Sequence, residues 1–136
     1  MKLRAALLLA FVAALLAAPS ARSEPPPQRL ETLRRGINIT GWFRFPGSQD
    51  PASLRAWIGD PAIADLRRAG FTFVRLAVDP DLPALLPTVA EAMRRLQSHG
   101  LAVVIAAHPR GWHLETDPAD RMRLLSFWRN LVPHLA

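Results

Sequence analysis

Three times along this chain an arginine- or histidine-ending amphipathic stretch reaches a glycine and an apolar run follows. The segments read "LRRGINIT", "LRRAGFTFVRLAV" and "RLQSHGLAVVIAAH". Gly70 and Gly100 stand 30 residues apart, the period of one strand–helix unit. The repetition predicts strands at Ile37–Thr40, Thr72–Val78 and Ala102–Ala107. They are almost continuously apolar, as parallel strands buried on both faces are. Strands that alternate with helices over short links give the α/β class.

The helices between these strands have readable ends. Asp60 is placed to cap the first, with Pro61 in its first turn, Ile63 and Leu66 on its apolar side and Gly70 as its stop. The second is expected from Pro83 or Pro87 to His99, with Val89, Met93 and Leu96 at helical spacing. The third starts at Asp117–Pro118 and carries Leu124, Leu125, Trp128, Leu131, Val132 and Leu135 as its core stripe.

The first 23 residues read as an address rather than as fold. Lys2 and Arg4 precede an unbroken apolar segment from Ala5 to Ala18, and small residues follow up to Ser23. This is the layout of a secretory signal peptide, and its apolar core is shorter than the roughly 20 residues of a spanning helix. The expected location is secreted or periplasmic, with no stable membrane association after cleavage. A retained N-terminal anchor is the alternative. Residues 24–34 open with "EPPPQ" and read as a proline-rich spacer, extended at 24–28. That leaves residues 35–136 for a single folded unit.

Removing residues 1–23 lowers the net charge from +6 and leaves 14 basic and 11 acidic side chains, a net +3. The remaining basic residues are all arginine, scattered or on helix backs, with no basic stripe interleaved with aromatics. Nucleic acid is therefore not an expected partner. There is no cysteine, so no disulfide or thiol nucleophile exists and stability rests on a buried core. Phosphate-binding glycine loops, dinucleotide fingerprints and the nucleophile elbow are missing as well. No cofactor is expected.

Ligands of parallel α/β folds sit at the carboxyl ends of the strands, and the polar residues of this chain fall there. The first strand leads to Asn38, Thr40 and Trp42; the second carries Arg75 and ends at Asp79; the third ends at His108. Arg75 shares a strand face with Phe73 and Ala77. A guanidinium keeps its proton and needs a partner. Two readings follow: it pairs with Asp79 or reaches solvent, or it orients an active-site carboxylate. His108 either bonds a loop carbonyl or contacts a sugar hydroxyl or a carboxylate. Trp42 and Trp112 are either half-buried aromatics or flat faces for stacking on pyranose rings. His113 is a further candidate on the loop after the third strand. His108, His113, Glu115 and Asp117 are metal-ligand types close in sequence, but their spacing matches no strong metal pattern.

These residues resemble a known family. "RGINITGWF" is similar to the first strand of glycoside hydrolase family 5, the cellulase-type (β/α)8 enzymes, with Gly36, Asn38, Gly41 and Trp42 on its G-h-N-x-x-G-W pattern. "AGFTFVRLAV" resembles the second strand, with Arg75 on the active-site arginine. "GLAVVIAAHPRGWH" resembles the third, with His108 on its terminal histidine. Where that family often has an acidic residue two places before the histidine, this chain has Ala106.

The resemblance implies a partial (β/α)8 TIM barrel, the first three βα units, spanning about residues 35 to 135. It also implies a secreted retaining glycosidase acting on β-linked polysaccharide or oligosaccharide. Arg75 and His108 would take supporting catalytic roles, and Asn38, Trp42, Trp112 and His113 would bind substrate. Such enzymes need two glutamates, an acid/base following an asparagine and a nucleophile, with carboxyl groups about 5–5.5 Å apart. The glutamates here are Glu24, Glu31, Glu91 and Glu115, and none is in either position. The expectation is an N-terminal portion of such an enzyme, inactive alone. The alternatives are a small exported carbohydrate-binding α/β protein without catalysis and, third, a metal-dependent hydrolase.

Overall fold

The computed structural model describes residues 25–135. The expected signal peptide, its cleavage site and Glu24 lie outside the described residues. Among the described residues no helix is long and apolar enough to cross a membrane.

A short helix, α1 (Pro27–Thr32), precedes strand β1 (Gly36–Phe43). Two helices follow, α2 (Pro51–Ala56) and α3 (Asp60–Arg68), then strand β2 (Phe73–Val78). A 3-10 turn at Pro83–Leu85 leads into α4 (Leu86–Ser98), strand β3 (Ala102–Ala107) and α5 (Pro118–Leu131), which ends in a second 3-10 turn. The strands form one parallel sheet in the order β1-β2-β3. The molecule is thus mixed α/β, with a three-stranded parallel sheet and helices.

Gly70 and Gly100 end α3 and α4 with φ of +87° and +77°. Glycine reaches that left-handed region without the clash a Cβ would cause. Asp117 caps α5 by accepting the Ala119 N–H at 2.8 Å. Asp60 does not cap α3: Gly59 is the N-cap, and the Asp60 carboxylate accepts from Arg95 of α4 at 2.6 Å. The extended spacer is corrected too, because Pro27 and Gln28 already belong to α1, a helix with no buried residue.

Strand alternation sorts the sheet into two unlike faces. Ile37 and Ile39 of β1, Val74, Leu76 and Val78 of β2, and Val103, Ile105 and Ala107 of β3 all join the core. The helices meet them with Ile63, Val89, Leu96, Phe127 and Leu131, each buried. The other face carries Asn38, Phe73, Arg75 and Val104, of which none belongs to that core. The expectation of strands buried on both faces therefore holds for one face only, and β3 is half-buried along its whole length.

Two further expectations are corrected by packing. β1 advances four positions from Ile39 to Phe43 while β2 advances two, from Leu76 to Val78. This bulge breaks alternation, so the neighbours Trp42 and Phe43 are both buried, stacked 5.0 Å apart. On α5 the buried apolar stripe is Phe127 and Leu131, with Leu124, Trp128 and, beyond the helix, Leu135 packed beside them, while Leu125 and the following Val132 are exposed.

Candidate functional site

The parallel register sets Asn38 beside Arg75 and Arg75 beside Val104. The ladder runs past the formal ends of the strands, since Asp79 N–H donates to Phe43 O and His108 N–H to Val78 O at 2.8 Å. His108 thereby keeps the parity of Val104 and Ala106 and joins the face of Arg75.

Three side chains meet there. Arg75 Nη1 donates to Asn38 Oδ1 at 3.0 Å, and Arg75 Nη2 lies 2.5 Å from His108 Nε2. A guanidinium has only donors, so Nε2 is the acceptor and the imidazole proton belongs on Nδ1. Burial first, then the charges of Arg44 and Arg75, hold the His108 pKa below its ordinary value, which favours the neutral ring. No described carboxylate lies within ion-pairing distance of Arg75, whose two partners are neutral.

Asp79 is engaged elsewhere. It is buried at the end of β2, accepts the Asp81 N–H at 3.0 Å, and accepts from Arg110 Nε at 2.8 Å. Arg110 comes from the loop after β3, so the expected Arg75–Asp79 pairing is replaced by Arg110–Asp79. The lower end of the same face is apolar. Phe73 lies so close over Gly36 that any Cβ there would run into its ring. Phe73 thus covers the amino end of the face, and the polar trio lies on its carboxyl side, reaching the strand end at His108.

The remaining expected site residues are not brought to this trio. Trp42 is 1% exposed. Its indole N–H donates to Leu54 O at 2.8 Å, and Trp57 stacks on it at 5.5 Å. It is therefore a core residue pinning α2, not a stacking platform for a sugar. Trp112 donates to Asp81 Oδ2 at 3.1 Å and carries the Arg123 guanidinium 4.2 Å above its ring. It lines an open groove of about 430 Å³ with Pro83, Met122 and Phe127, away from Arg75. His113 is exposed, and its backbone N–H donates to Asp120 Oδ2 at 2.7 Å. Among the described residues no three His, Asp or Glu side chains gather as a metal site, and Asp117 serves as the α5 cap.

Two arginines of the region were not singled out by the sequence. Arg110 is recognisable only once Asp79 is seen to be buried. Arg44 follows the β1 bulge, whose shifted parity hides which way it points.

No family model matches the chain, and the curated proteins and solved structures yield no match either.

Proposed function

We propose that this chain is the N-terminal portion of a secreted retaining glycoside hydrolase of the (β/α)8 kind, acting on β-linked polysaccharide. Its open sheet face would be the side turned toward the sugar. One observation carries the reading: Arg75 is held in place by Asn38 and His108 yet has no described acid to neutralise it. A fixed, charged and partly exposed fork suits the positioning of a carboxylate. The placement of Asn38, Arg75 and His108 on three successive strands, with His108 just past the carboxyl end of β3, supports it, since parallel α/β folds place ligands toward those ends.

Hydrolysis with retention needs a pair of carboxyl groups. Glu31 on α1 is tied to Arg34 just after that helix, and Glu91 to Arg55 on the helix side at 2.7 Å. Glu115 is exposed on the loop before α5. None of these joins the trio, so the 136-residue chain is expected to release no reducing ends from β-linked glucans or mannans. Turnover that Arg75→Ala abolishes would overturn the reading.

The trio without an acid also suits a carbohydrate-binding protein that does no chemistry. Reading the coding DNA beyond Ala136 separates the two. An Asn-Glu codon pair in the continuation, in any frame, supports the hydrolase. A continuation without one leaves the binding protein.

A further inference from the structure

The chain has little slack where it leaves His108. Pro109 follows, a residue that fixes its own φ and keeps the residue before it extended. Arg110 comes next, and Gly111 then turns the chain away with a φ of +67°, a conformation that suits glycine. Between the stiff proline and the turn stands one side chain, and it spans the sheet end. Arg110 Nε donates to Asp79 Oδ2 at 2.8 Å, while Nη2 lies 2.8 Å from the same oxygen and 3.4 Å from the Arg44 carbonyl. Its guanidinium also lies 5.2 Å from the centre of the Phe45 ring. An arginine of the loop after β3 thus crosses the end of β2 and reaches the chain leaving β1.

The anchor it grips is itself fixed. Asp79 is buried, its N–H donates to Phe43 O at 3.1 Å, and its Oδ1 accepts the Asp81 N–H at 3.0 Å. A buried carboxylate stripped of its cation is costly, so Arg110 is held in place. His108 is therefore secured at two points: its N–H donates to Val78 O at 2.8 Å, and two residues on Arg110 grips the next residue of β2. The imidazole needs this. Among the described residues its ring has no hydrogen-bond partner besides Arg75, so its aim depends on where the backbone puts it.

We propose that Arg110 is a positioning residue for the Asn38–Arg75–His108 trio: it braces the His108 loop against Asp79 and the backbone after β1, and so holds Nε2 toward Arg75. This rests on the sugar-facing reading above and names what keeps the ring of that site in place. Arg110 acts through Pro109 and the backbone, not by touching the ring. The same loop has a second tie, in which Trp112 donates to Asp81 and Arg123 bridges Asp81 and Asp120. That tie lies beyond the Gly111 turn, and it does not aim the ring.

The test is a long-range proton–nitrogen NMR spectrum of the histidine rings in the full chain, without sugar, at about pH 8, where an imidazole is neutral. His108→Gln assigns the His108 signals. The native ring is expected to show one tautomer, with its proton on Nδ1. Arg110→Met should turn this into a mixture that also carries the proton on Nε2. Arg110→Lys keeps a cation for Asp79 and should recover part of the native pattern. Arg123→Met cuts only the second tie and should leave the pattern intact. Circular dichroism and a cooperative urea transition check the fold of each variant. If Arg110→Met does not fold, Pro109→Ala decides: it keeps the Arg110 side chain, slackens the link, and should give the same mixture. The native pattern kept in the deciding variant, or lost equally in Arg123→Met, overturns the brace. So does a native ring with its proton on Nε2. Because no sugar is present, these results leave the sugar-facing reading standing, whereas a sugar titration that moves none of the trio overturns that reading and leaves the brace.

Discussion

Arg75 shows how a charge is accommodated in the middle of an oily strand. Its neighbours Val74 and Leu76 point into the helix-side core, while its own side chain leaves from the open face toward Asn38 and His108. The Nε2 contact works only while the imidazole is neutral, and this has a consequence for stability. The folded pKa of His108 lies below the ordinary value of about 6.5. Above that value the ring is neutral in both folded and unfolded chains, and its contribution is fully present. As pH falls through about 6.5, the unfolded chain takes up the proton first and the fold loses stability. The urea midpoint of the full chain should therefore drop between pH 7 and pH 5 by more than that of His108→Gln. Parallel pH profiles for the two proteins would contradict this.

At the scale of elements, the packing of α5 is directly testable. Phe127 is 4% exposed and meets Trp128 edge-on at 4.9 Å, whereas Leu125 is 47% exposed. Phe127→Ala should cost about 3–5 kcal/mol by the usual price of a core aromatic, and Leu125→Ala no more than about 0.5 kcal/mol. Chemical denaturation of both variants measures the contrast, and equal losses would contradict the assignment of the buried stripe. The sequence mistook Leu125 and Val132 for core because alternation of leucines at helical spacing fits two adjacent stripes, and only the position of the sheet selects one. By contrast, the three strands were legible to within a few residues, because each follows a helix stop or turn and runs apolar without interruption. α2 was not legible: six residues with Leu54 as the one buried position give no period to read. The same limit applies at the site. Asn38, Arg75 and His108 followed from strand polarity and parity, whereas Trp42 and Arg44 sit at or beyond a bulge that no single-strand pattern announces.

For the whole molecule, the two faces of the sheet set the behaviour expected in solution. One is packed by helices; on the other Ala77 is buried while Phe73 and Val104 stay partly exposed beside the polar trio, and β3 has a strand partner on one side only among the described residues. Open edges and uncovered apolar surface promote association. Leu125 on α5 and Val132 in the 3-10 turn after it add an apolar flank. The 136-residue chain should accordingly bind an apolar dye and show concentration-dependent sedimentation. A dye-silent monomer over a hundredfold concentration range would mean that this surface is covered, against the view of an open face.

The central claim is that the face bearing Asn38, Arg75 and His108 is the one that meets a sugar. Side-chain NMR of the full chain during titration with a β-linked glucan oligosaccharide tests it most directly. The account predicts shifts in the Asn38 amide, the Arg75 guanidinium and the His108 ring, with the Trp42 indole unmoved behind the sheet. A titration that moves Trp42 or Trp112 and leaves those three still, or that moves nothing, would contradict it.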